Sequence, residues 1–118
     1  MSVTRKHSGP RMSQIVVHGN TVYLAGQVAQ EAPGASVGDQ TRDILQRIDQ
    51  YLAEAGTDKS KALSATIWLT TMDTFAEMNE AWDAWIDPAN PPVRACVESP
   101  RLAAPQFTVE IMVTAAVG

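Results

Sequence analysis

The apolar residues of this 118-residue chain change period repeatedly along its length, and that pattern limits the folds open to it. Residues 14–18 (QIVVH) and 21–26 (TVYLAG) are apolar and β-branched, and Gly19-Asn20 between them is a two-residue loop of the kind that closes a β-hairpin. Residues 31–38 (EAPGASVG) read as a loop. Over 39–55 the period lengthens to that of a helix: Ile44, Leu45, Ile48, Leu52 and Ala55 share one face, and Gly56 supplies the stop. The opposite face mixes Arg42, Asp43, Arg47, Asp49 and Glu54, a solvated pattern rather than the basic one of a membrane-surface helix.

Residues 61–70 (KALSATIWLT) return to alternation, with Leu63, Ala65, Ile67 and Leu69 on one side and Ser64, Thr66, Trp68 and Thr70 on the other. Thr74 and Glu77 have the spacing of a capping box and predict a second helix, with Phe75, Met78, Trp82 and Trp85/Ile86 on its inner stripe. Asp87-Pro88 and Pro91-Pro92 end that helix. Residues 93–98 (VRACVE) and 107–115 (FTVEIMVTA) alternate again. The order is β-β-α-β-α-β-β, which predicts an α+β two-layer sandwich, two helices on a largely antiparallel sheet, as a single domain over 1–118.

The helices must cover one sheet face. Val93, Ala95 and Val97 are expected there, with Phe107, Val109, Ile111 and Val113. The other face is expected to carry Arg94, Cys96 and Glu98 beside Thr108, Glu110, Met112 and Thr114, with Thr66 and Trp68 on the middle strand. Such a mixture of apolar bulk and single opposite charges fits either a solvated face with a few salt bridges or contact with another subunit.

Charge narrows the partners. Nine basic and thirteen acidic residues leave a net charge of −4, which argues against a nucleic-acid partner. The one basic cluster, Arg5, Lys6 and Arg11, reads as a solvated terminal arm. No apolar run approaches the roughly 20 residues that span a bilayer, and the first residues lack the apolar core of a secretion signal. The expectation is a cytoplasmic domain with neither a membrane nor a nucleic-acid partner. The single cysteine excludes an internal disulfide.

Candidate chemistry is sparse. Neither a glycine-rich phosphate loop nor a G-x-S-x-G elbow is present. His7 and His18 have no partners at metal-ligand spacing, so no metal is expected. Cys96 is either a small buried hydrophobe or a nucleophile. Arg94 and Glu110 form the best pair. The guanidinium is a planar fork that binds carboxylates through two parallel hydrogen bonds, and a nearby glutamate can hold a water or relay a proton. The competing reading is a cross-strand salt bridge.

Residues 90–111 (NPPVRACVESPRLAAPQFTVEI) closely resemble the C-terminal signature of the Rid family, the RidA/YjgF-like reactive intermediate deaminases. VYLAGQVA at 22–29 and the stretch from 53 to 82 resemble that family's second strand and its helix, middle strand and second helix. The resemblance implies a chorismate-mutase-like fold assembled as a homotrimer, with the three sheets forming a central barrel and three sites in clefts between subunits. It implies hydrolysis of 2-imino acids and their enamine tautomers, of the 2-aminoacrylate or 2-aminocrotonate type, to 2-keto acids and ammonia, without metal or organic cofactor. Arg94 would clamp the substrate carboxylate, Glu110 would orient the attacking water, and the backbone of Cys96 and Gly26 would line the pocket. Two positions depart from the family pattern: Arg11 follows Gly9-Pro10 where tyrosine is usual, and Ala25 precedes Gly26-Gln27 where serine is usual. Arg11 would then meet a second acidic group on the substrate or face solvent. The departures leave room for a non-catalytic trimeric binder of a small carboxylate metabolite.

Overall fold

The structure, a computed structural model, describes residues 1–118. It is a slab of 42 × 38 × 21 Å, one helical layer deep on one sheet. Strands β1 (Val3–Ser8), β2 (Ser13–His18), β3 (Thr21–Leu24) and β4 (Gln27–Val28) precede helix α1 (Val37–Glu54). Strand β5 (Ala62–Leu69), helix α2 (Phe75–Trp85), β6 (Val93–Glu98) and β7 (Val109–Ala116) follow. The sheet order is β1-β2-β3-β7-β5-β6, with β4 also on β7. No helix is long and apolar enough to cross a membrane.

The helical layer follows from its side chains. Ile44, Leu45, Ile48 and Leu52 of α1 are buried against Ile67, Leu69, Val109, Ile111 and Val113 of the sheet. Each such side chain contributes roughly 1.5–3 kcal/mol when taken fully out of water. Ser36 caps α1, its hydroxyl accepting from the Asp39 amide. At the other end Gly56 takes φ +82°, and its amide and that of Thr57 bond back to the carbonyls of Ala53 and Leu52. That left-handed turn is available cheaply only to glycine.

The structure corrects three expectations and sharpens one. The basic N-terminal segment is the strand β1, paired antiparallel with β2, and Lys6 donates to the carbonyl of Glu54 at the end of α1. The sheet is largely antiparallel as expected, and mixed only because β6 runs parallel to β5 across the α2 crossover. Thr74 and Glu77 make no capping box: Thr74 gives α2 no side-chain cap, and Glu77 instead accepts from the Gly38 amide at 2.7 Å, holding the first turn of α1.

The third correction bears on the site. Ala65, Ile67 and Leu69 face the helices, and they pair with Arg94, Cys96 and Glu98. Val93, Ala95 and Val97 therefore point to the bare side, where Val93 is 73% and Val97 46% exposed. Alternation defines two faces but does not say which one is covered. At this edge strand the helix side accepts Arg94 because aromatic rings of α2 lie beneath its guanidinium. Cys96 is small enough to pack against the core there.

Candidate active site

Arg94 lies on edge strand β6, with its Nη1 donating to Oδ1 of Asn79 at 2.8 Å. Its guanidinium carbon is 5.3 Å from the ring centre of Trp82 and 5.9 Å from that of Phe75. One amide and two rings restrict the side chain while leaving most of the fork free, and the chain's three ion pairs do not include it. An exposed arginine held in place without a counter-charge is organised in advance for an anion. Asn79 was not legible as a partner. The available signal was an asparagine inside a helix, where its propensity is poor.

Cys96 sits half-buried on the same side as Arg94. Burial pushes its thiol up, partly offset by the Arg94 charge, so the thiolate needed of a nucleophile is disfavoured. Glu98 accepts from the Met72 amide at 2.9 Å and fixes the turn that leads into α2.

Glu110 stands on the other face. It pairs with Trp68, which in turn pairs with Val97. The expectation that Arg94 and Glu110 share a face is therefore overturned. Val97 is three residues along β6 from Arg94, and β7 is two strands away, so the two side chains start about 14 Å apart on opposite sides of the sheet. No ion pair reaches Glu110, and burial alone pushes its carboxyl above the ordinary glutamate range.

Glu110 fits where it does because of a break in the neighbouring strand. Tyr23 pairs with Thr114 and Gln27 with Ile111, so β3–β4 spends one more residue than β7 over this stretch. The extra residue is a bulge at Ala25–Gly26. A Cβ at residue 26 would overlap the Glu110 carboxylate, so only glycine leaves the space. The Ala25 amide donates to Gln14 and its carbonyl accepts from the buried Gln27 side chain, which also donates to Gln14. Arg11 is exposed in the turn between β1 and β2, a turn closed by the Gly9 amide on the Met12 carbonyl. That turn adjoins the strand of Gln14. Ala25, Gly26 and Glu110 are thus brought together, Arg11 lies at their margin, and Arg94 with Cys96 forms a second cluster. No three His, Cys, Asp or Glu side chains converge as metal ligands would.

Residues 6–117 match the family described as Endoribonuclease L-PSP. The chain belongs to that family. A RutC family protein of Haemophilus ducreyi is 43% identical over 115 residues, covering 98% of this chain and 97% of the relative. The crystal structure of a YjgF family member from Neisseria meningitidis superposes with a TM-score of 0.95 at 42% identity, over 100% of this chain and 97% of that one. The Rid family protein YyfA from Yersinia pestis, a protein of unknown function, superposes at 0.83 with 28% identity, covering 93% of this chain and 90% of its own. In this chain the bulge at Gly26 and the shelf of α2 rings beneath Arg94 are thus carried on an L-PSP/YjgF-type α+β fold with two helices on a mixed sheet.

Proposed function

We propose that this L-PSP family member hydrolyses the C=N bond of 2-imino acids, at a site shared between protomers of a homotrimer of chorismate-mutase-like architecture. The observation that carries the reading is the separation of Arg94 and Glu110 onto opposite faces. One protomer cannot bring both to a small substrate, whereas a neighbour laid against the bare face can. That face supplies an apolar surface for such a contact: Tyr23, Val93, Val97 and Met112 are all exposed on it, with Trp68 between Met112 and the β6 valines and Val16 beyond Tyr23. Contiguous apolar surface on one face favours subunit contact over solvation.

In the proposed site Arg94 of one protomer binds the α-carboxylate through its free fork. Glu110 of the neighbour takes a proton from water, and the water oxygen attacks the imine carbon while the nitrogen accepts a proton. The resulting carbinolamine loses its C–N bond, so that one imine and one water yield one 2-keto acid and one ammonia. The imine carbon is already electrophilic, and positioning with a held water supplies the rest. The free cysteine suits a reducing compartment, and the reading places the activity in the cytoplasm.

Subunit mixing tests this directly. Arg94→Ala and Glu110→Gln are each expected to be inactive on an imine generated in situ. Unfolded together and refolded, they should regain about a quarter of wild-type activity, because each mixed ring of three restores one site. No recovery on mixing would sink the shared site. Normal decay rates for both single variants would sink the reaction, and keto-acid binding without turnover in the wild type would leave a carboxylate binder.

A further inference from the structure

The proposed reaction uses only the α-carboxylate and the imine carbon of its substrate, and the side chain needs a place of its own. A cavity of about 370 Å³ lies at the loop between β6 and β7, lined among others by Thr70, Arg101, Leu102, Pro105, Phe107 and Thr108. Trp68 pairs with Glu110, and the Thr70 amide continues that ladder by donating to the Thr108 carbonyl at 3.1 Å. Thr108 precedes Glu110 by two residues, just ahead of β7, so the cavity wall begins about 7 Å along the chain from Glu110. The volume is within the range of small-molecule sites.

The cavity is held open. The buried side chain of Gln40 donates to the Gln106 carbonyl and accepts from the Thr108 amide, both at 3.0 Å. The Gly34 amide also donates to Gln106, and the Ser99 amide to Leu69. The lining is mixed. Leu102, Pro105 and Phe107 offer apolar contact, whereas Arg101 is exposed with no carboxylate in ion-pair range. Oγ1 of Thr108 is the one buried side-chain polar atom in the chain without a hydrogen-bond partner. Buried polar atoms are rarely left unpaired.

We propose, building on the imine-hydrolase reading, that this cavity receives the substrate side chain and that Arg101 selects side chains ending in a carboxylate. The favoured class is then the dicarboxylic 2-imino acids and their 2-keto products, with the methylenes against Leu102 and Phe107 and the distal carboxylate on the Arg101 fork.

Calorimetry with 2-oxobutyrate and 2-oxoglutarate tests the pocket apart from turnover. The wild type is expected to bind 2-oxoglutarate at least tenfold more tightly, and Arg101→Gln should abolish that preference. Arg101→Lys should restore part of it, and Arg11→Gln, which removes an exposed guanidinium that does not line the cavity, should retain it. The same ratio is expected in kcat/KM for imines made by an amino acid oxidase from glutamate and from 2-aminobutyrate. Equal affinities, no binding of 2-oxoglutarate, or a preference that survives Arg101→Gln or disappears with Arg11→Gln would overturn the assignment. Failure of the underlying reading looks different: neither imine decays faster with protein present. The keto-acid affinities still decide the pocket in that case.

Discussion

The two faces of the sheet are built from the same strands and do opposite work. On β5 and β7 the helix-facing positions Ile67, Leu69, Val109, Ile111 and Val113 are fully or almost fully buried and purely apolar. One residue along each strand, the bare face presents Thr66, Trp68, Glu110 and Met112. The first set is complete within one chain. The second carries a carboxylate without a partner and apolar groups without a cover. Folding accounts for the one, and on the proposed reading the other serves assembly and chemistry.

Adjacent residues on β5 give the largest contrast. Ile67→Ala removes a fully buried side chain and should cost about 3–4 kcal/mol in urea unfolding. Trp68→Ala, on the opposite face, should change the unfolding of the isolated chain far less. It should instead lower the mass in light scattering from three copies of 12.7 kDa towards one. A Trp68→Ala variant that is both trimeric and as unstable as Ile67→Ala would erase the distinction between the faces.

Arg94→Ala comes next. Two charge-assisted bonds to a substrate carboxylate are together worth about 3 kcal/mol, or roughly a hundredfold in kcat/KM. The side chain is exposed, so the unfolding midpoint should scarcely move. A large stability loss would mean that the Arg94 shelf belongs to the fold rather than to the site.

Glu110→Gln should separate stability from activity by sign. Burial raises the Glu110 carboxyl above the ordinary value of 4.5, so the folded chain keeps a proton that the unfolded chain has lost. Above the ordinary value stability falls as pH rises until the folded carboxyl is ionised, because the buried charge carries a desolvation penalty. Glu110→Gln should therefore raise the neutral-pH Tm slightly while abolishing turnover. In the wild type the acid limb of kcat/KM should lie above pH 4.5, because the carboxylate form acts as the base. Gly26→Ala should retain the fold but push the Glu110 carboxylate aside, with a loss of roughly tenfold for about 1.4 kcal/mol of displacement.

Much of the covered face was legible because burial leaves a periodic record. The stripe of α1 and the alternation of β5 and β7 read directly, and the two-layer α+β order followed. β1 was hidden because Arg5, Lys6 and Arg11 read as a solvated terminal arm, whereas Lys6 and its neighbour His7 in fact bond to Glu54 at the end of α1. On β6 the apolar residues were assigned to the wrong face. The rule that apolar side chains point to the core fails where a second face is also apolar, and β6 shows Val93 and Val97 to that side. The same error placed Arg94 and Glu110 together. Their chemical types were visible in the chain, but their separation depends on the register of three strands, which no local pattern records.

Asn79 offers the smallest and most discriminating substitution. Its side chain accepts one hydrogen bond from Arg94, and it lies in the interior of α2. Alanine there removes a bond worth about 0.5–1.5 kcal/mol, which should appear as a three- to tenfold rise in KM as Arg94 loses its preferred orientation. Alanine also has the better helix propensity, by up to about 0.7 kcal/mol, so α2 and with it the chain should become slightly more stable. A residue kept for packing would lose substrate affinity and stability together. Opposite movements, with kcat little changed, would show that this asparagine costs the helix stability in order to hold the arginine, and that the edge of the covered face already serves the site.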